Sequence, residues 1–193
     1  MPRGIAHDHS EKRAAIRKGA AAYFAANGYD RASMTGAAAH CGVSKALIYH
    51  YYDSKDALLY DILHTHLSDL VETVAKVPPS DDRLRHLIHA ILLAYRDADA
   101  EHKLQADAMV ALPADKRKPL TALQRRLIKM MGDALQAASP KTMNDPARLH
   151  PVTMTVFGML NWFYMWHRPG KGIDREAYAE LVTDMVMGGI KGL

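Results

Sequence analysis

The chain has 193 residues, about half of them hydrophobic and a quarter charged, which suffices for one or two folded domains and excludes a disordered polymer. A single cysteine, Cys41, excludes an internal disulfide, and the polar opening MPRGIAHDHSEKR has no apolar stretch of the kind a secretory leader needs, so a cytoplasmic protein is expected. The net charge of +4 is localised: residues 1–55 carry eight Lys or Arg against four acids, whereas the rest of the chain is balanced, which points to a polyanionic partner for the first quarter.

Apolar residues recur at helical spacing throughout, and no segment alternates as a half-buried strand would. Ser10 precedes a first helix with Ala14, Ile16, Ala20, Tyr23 and Phe24 on one face and Gly28 as its stop. Ser33 begins a short second helix ended by Gly42, and Ser44 begins a third, KALIYHYY. Asp53 or Ser54 begins a fourth that ends before Pro78 and Pro79. Ser80 opens a fifth reaching Ala100, with Leu84, Leu87, Ile88, Ile91 and Leu92 on one stripe. A shorter sixth ends at Pro113, and a seventh covers residues 114–138. After the turn SPKTMNDP the spacing predicts a very apolar eighth helix over 147–167, bent near Pro151. The turn at 168–173 leads to Asp174, which caps a ninth. The expected fold is all-α with nine helices and no sheet. A short basic region, 1–55, precedes longer and electrically balanced helices, 56–193, and the fourth helix bridges the two.

Residues 33–51 read as two short helices joined by Cys41-Gly42-Val43-Ser44, the helix-turn-helix pattern. Ala38 is small where the two helices must approach, and Gly42 can take the left-handed conformation of the turn. Ile48 and Tyr52, four apart, share the inward face, whereas Lys45 and Tyr49 share another, flanked by His50. The tyrosine cluster is thus divided between core and reading surface.

Residues 10–60 resemble the DNA-binding region of the TetR/AcrR family of transcriptional repressors. The resemblance is carried by Gly28-Tyr29-Asp30, Ser33, Ala38, Gly42-Val43-Ser44-Lys45, Ile48 through Tyr52, and Ser54-Lys55-Asp56-Ala57-Leu58. Ala37 and Thr35 depart from the larger residues usual in that family. The resemblance implies a three-helix DNA-binding domain followed by a helical ligand-binding and dimerisation domain. It also implies phosphate contacts from Ser33 and Thr35, entry of Ser44 and Lys45 into the major groove, and contact of Ala46 and Leu47 with thymine methyls. Tyr49 and Tyr51 would grip phosphates, His50 a base edge or a phosphate, and Lys55 a phosphate. One such motif covers too little DNA for specificity, so the resemblance further implies a homodimer on a palindromic double-stranded operator, its reading helices about one turn, roughly 34 Å, apart. The last two helices are the expected seam: VTMTVFGMLNWFYMW is apolar nearly all round, and Gly188 and Gly189 permit close approach.

In the larger part Met109, Met130, Met131, Met154, Met159 and Met165 are either pocket lining or plain core. GMLNWFYMWHRPGKG is similar to an element in the subset of the family that senses acyl-CoA thioesters. On that resemblance Trp162 and Trp166 stack on a ligand whose phosphates meet Arg168 and Lys171; the alternative is that both tryptophans pack the dimer seam and Arg168 caps a helix. The expected inducer is a bulky, partly apolar small molecule. Eleven histidines give no metal-ligand spacing, no nucleophile–base grouping or phosphate loop is visible, and no apolar run is long enough for a membrane. No cofactor and no catalytic residue is expected. The competing reading is a helical small-molecule carrier whose basic N-terminal region serves another acidic partner.

Overall fold

Helices begin where a side-chain oxygen can accept from an otherwise unsatisfied N–H. Ser33 Oγ accepts from Gly36 N at 3.0 Å, Ser44 Oγ from Leu47 N at 3.1 Å and Ser54 Oγ from Ala57 N at 3.1 Å. Asp145 and Asp174 do the same for Ala147 N and Ala177 N. The computed structural model describes residues 3–168 and 170–193, without the side chains of residues 3–8.

In chain order the helices are α1 (Arg3–Asn27), α2 (Met34–His40), α3 (Lys45–Tyr51), α4 (Lys55–Ala75), α5 (Arg83–Ala94), α6 (Asp99–Asp107), α7 (Ala114–Ala138), α8 (Pro140–Met143), α9 (Pro146–Asn161), α10 (Phe163–Trp166) and α11 (Arg175–Lys191), with a 3-10 turn at Met109–Ala111. The described residues contain no strand, only an isolated bridge between Arg168 and Lys171. The expected all-α class holds. The two helices beyond nine are the single turns α8 and α10.

Four boundaries differ from the sequence reading, and one is the sixth helix, which ends at Asp107 before the 3-10 turn rather than at Pro113. α1 starts at Arg3 rather than after Ser10, because no proline stops it and Gly4 alone is too weak a breaker. The fifth helix ends at Ala94, where Asp97 takes a left-handed φ of 61°, a conformation aspartate tolerates better than most residues. The eighth helix is interrupted at Trp162, after which Phe163 turns inward to lie 4.8 Å from the Tyr178 ring. Pro151 sits inside α9 without ending it.

The chain forms two compact units, one of Met1–His66 with Ala98–Leu120 and the other of Leu67–Asp97 with Thr121–Leu193; α4 and α7 each supply residues to both. In the first unit Ile16, Ala20, Phe24, Ala37, Ala38, Ile48, Leu58 and Ile62 are buried together. Gly36 sits close to Tyr23 there: a Cβ would lie 2.0 Å from Tyr23 Oη, so the phenol would have to shift. α6 lies along α1, pinned by Lys18 Nζ 3.1 Å from Glu101. In the second unit α5 packs along α11, and the expected stripe from Leu84 to Leu92 is buried beside Val182 and Val186. Arg85 pairs with Glu180 and, at 3.2 Å, with Asp184, while Arg96 pairs with Glu176 at the rim.

Candidate nucleic-acid interface

The reading surface is built from the turn outward. Gly42 has a φ of +65°, which an L side chain rarely adopts, and Val43 N closes the turn on Ala38 O at 3.0 Å. α3 therefore leaves the turn with Ile48 fully buried and with Ser44, Lys45, Ala46, Tyr49 and His50 exposed. Leu47 and Tyr51 are half-buried at its edges. Lys45 Nζ lies 5.9 Å from the centre of the Tyr49 ring, so cation and phenol share one outward face.

The far end of α3 is fixed by polar groups. Tyr52 is buried, as its spacing from Ile48 predicts, and its hydroxyl donates to Asp61 Oδ2 of α4 at 2.7 Å. Arg13 of α1 donates to Asp61 Oδ1 at 3.0 Å, and Arg17 approaches Oδ2 at 3.5 Å. Burial and the bond to Asp61 push the Tyr52 hydroxyl up to about 12, with Arg13 opposing. One carboxylate thus ties α1, α3 and α4 together. Neither Asp61 nor the role of Arg13 was found in the sequence; the only available signal was that Arg13 and Arg17 stand four apart and can address one acid.

Lys55, expected at a phosphate, is engaged here with the protein's own backbone. Its ammonium donates to the carbonyls of Tyr29 (2.9 Å), Asp30 (3.3 Å) and Ala32 (3.1 Å) and sits 4.3 Å from the Tyr29 ring, filling its three N–H positions with backbone behind α1. Tyr29 in turn donates to Asp56 at 2.5 Å, and its hydroxyl is held far above its ordinary range by burial and then by that carboxylate. Ser33 and Thr35 are exposed at the start of α2; the Ser33 oxygen is already engaged as a cap, which leaves its hydroxyl proton as the donor.

Comparison with known proteins adds what geometry alone does not. Residues 16–62 match the domain described as bacterial regulatory proteins, tetR family, and residues 77–190 match the Tetracyclin repressor-like, C-terminal domain. The chain belongs to the TetR family. A crystal structure of a TetR-family transcriptional regulator from Bordetella parapertussis 12822 is 34% identical, covers 94% of this chain and 96% of its own, and superposes with a TM-score of 0.86. AibR, crystallised in complex with isovaleryl coenzyme A and operator DNA, is 24% identical over 90% of this chain and 97% of its own, with a TM-score of 0.78, and shares the fold. The HTH-type transcriptional repressor AcnR of Corynebacterium jeikeium (strain K411) is 32% identical over 75 residues, 39% of this chain; the match spans 40% of that curated relative's length.

In this TetR-family chain the residues expected at a ligand are dispersed. Met109 belongs to the first unit, in the 3-10 turn. In the second unit Met131 is buried in α7, and Met159 is half-buried along a shallow groove of about 270 Å³ shared with Val152, Met185 and Gly189. Trp162 is 61% exposed, and Trp166, at 46%, packs edge-on to Tyr178 at 5.2 Å. The helix break separates the two tryptophans, so they do not share one continuous helical face. Arg168 is exposed in the turn closed by Lys171 N on Arg168 O, with Gly170 and Gly172 left-handed. α9, α10 and α11 also expose Met154, Met165, Leu181 and Met185, and among the described residues nothing lies within 4 Å of where a Cβ would sit at Gly188 or Gly189. Among the described residues no cluster of His, Cys, Asp or Glu is placed to hold a metal, and no helix is long and apolar enough to cross a membrane.

Proposed function

We propose that this chain is a transcriptional repressor that binds a palindromic operator as a homodimer and releases it on binding a bulky, partly apolar small molecule. The observation that carries the reading is the face of α3. Lys45, Tyr49 and His50 stand in solvent on a seven-residue helix whose other side is locked by Ile48 and Tyr52. Such a helix offers a cation, a hydroxyl and an imidazole at major-groove dimensions, with Ala46 and Leu47 for thymine methyls. Thr35 and the Ser33 hydroxyl would add phosphate contacts from α2.

The apolar face of α9 and α11 supports the second copy. A symmetric seam would bury Leu181 and Met185 against their own counterparts and set two α3 helices about one DNA turn apart. An acyl-CoA thioester is the inducer class favoured by the sequence around Trp162 and Arg168 and by the isovaleryl coenzyme A bound in AibR. The inducer must bind more tightly to a dimer whose reading helices are wrongly spaced, since only differential affinity shifts the equilibrium. The work is done where the chromosome lies, in the cytoplasm.

Gel-shift titration on duplexes selected from a randomised pool tests this reading. Binding is expected to be specific for an inverted repeat, to weaken steeply with salt as phosphate counterions are retained, and to be reversed by isovaleryl coenzyme A but not by coenzyme A alone. Failure to retain any duplex would favour the carrier reading instead.

A further inference from the structure

α1 reaches further toward the N-terminus than the helix-turn-helix needs, and that extra length brings a ring onto α3. The His9 ring lies 4.6 Å from Tyr51 and 6.3 Å from His50, which are themselves 5.4 Å apart. His9 and His50 are exposed and Tyr51 is half-buried between them. Three rings from two helices therefore form one cluster at the edge of α3, and its member His50 belongs to the exposed side of that helix. Two of them are imidazoles, the side chain whose ordinary charge change falls between pH 5 and 8.

We infer that His9 is a further DNA-contacting residue: it holds Tyr51 by ring packing and, with His50, adds phosphate contacts that strengthen as the imidazoles take up protons. The inference rests on the DNA-binding reading above. Its electrostatics follow from the neighbours. Along α1, Lys12 and Arg13 stand three and four residues on, on the side of His9, while Glu11 lies on another face. On α3 the charged group is Lys45, and Asp53 follows the helix. The α4 carboxylate directed this way, Asp61, already accepts from Arg13 and Tyr52. A phosphate placed at the cluster favours the protonated imidazole, so proton uptake and DNA binding assist each other.

The test uses the full chain and a fluorescein-labelled duplex selected from a randomised pool at pH 7, with affinity measured from pH 8 to pH 6 at fixed ionic strength. Wild type is expected to tighten about tenfold or more as pH falls. His9→Phe keeps the ring contact without the proton: it should bind within about twofold of wild type at pH 8 and lose about half of the pH dependence, with His50→Gln removing the remainder. His9→Ala should bind several-fold more weakly at every pH. Both positions are exposed, and circular dichroism verifies that the variants fold. If His9→Phe and His9→Ala both track wild type while Lys45→Ala weakens binding, the inference is wrong and the DNA-binding reading stands. If no duplex is selected at all, both are wrong.

Discussion

α3 and the α9–α11 surface are exposed to a similar degree but with opposite chemistry. Tyr49 is 42% exposed beside Lys45 and His50, whereas Met185 is 59% exposed beside Leu181 and two glycines. A polar face is at home in water and awaits a partner only where its groups match one. An apolar face of this kind is a standing cost that a second apolar surface relieves. The two regions thus announce different partners by different means, and each can be attacked separately.

The largest effect is expected from Met185→Glu. If this face is the seam, symmetry places two charges in it, and dimer affinity should fall by about 100-fold or more in sedimentation equilibrium. An unchanged mass distribution would detach the apolar face from dimerisation. Ile48→Ala comes next. It empties the buried side of α3 and should lower unfolding free energy by about 3 kcal/mol in urea titration. Its mirror is Lys45→Ala on the outer side of the same helix, which should leave urea stability within about 0.5 kcal/mol while weakening operator binding by about 2 kcal/mol and reducing the salt slope by about one. Equal stability losses for the two variants would mean that α3 does not have the inner and outer faces described here.

An effect confined to acid pH separates buried from exposed histidine. His66 is buried, with His102 and then Lys18 adding to the cost of charging it, so its folded value is lowered to about 4. The unfolded chain then binds the proton more readily. The associated stability is intact above the ordinary histidine range and is lost as pH falls from about 6.5 toward 4, by up to about 3 kcal/mol. His66→Gln should flatten that limb of the pH–stability curve, and it should leave untouched the tightening on DNA attributed to His9 and His50.

What the sequence made legible was local. Ser33, Ser44 and Gly42 mark cap and turn because their hydrogen bonds and backbone angles are decided within three or four residues, and the Ile48–Tyr52 spacing alone places both inward. Interactions that close over long distances were not legible. Asp61 meets Arg13 across 48 residues and Glu101 meets Lys18 across 83, and no local pattern encodes either pairing. The same blindness inflated the basic patch. Arg13, Arg17, Lys18 and Lys55 all counted toward it, yet the first three face carboxylates and Lys55 faces carbonyls. Lys45 is the cation of the motif left on the reading surface. The break at Trp162 was hidden for the opposite reason: the segment is so apolar that helical periodicity cannot show where one helix stops.

The most direct measurement places a DNA-cleaving reagent on α3. Cys41→Ser removes the native thiol, and Ala46→Cys supplies an exposed one in the middle of the proposed contact surface. With an iron chelate attached there, the selected duplex should be cut in two symmetric clusters about ten base pairs apart. Cleavage spread evenly along the duplex, or none on DNA that is demonstrably bound, would mean that another surface holds the DNA.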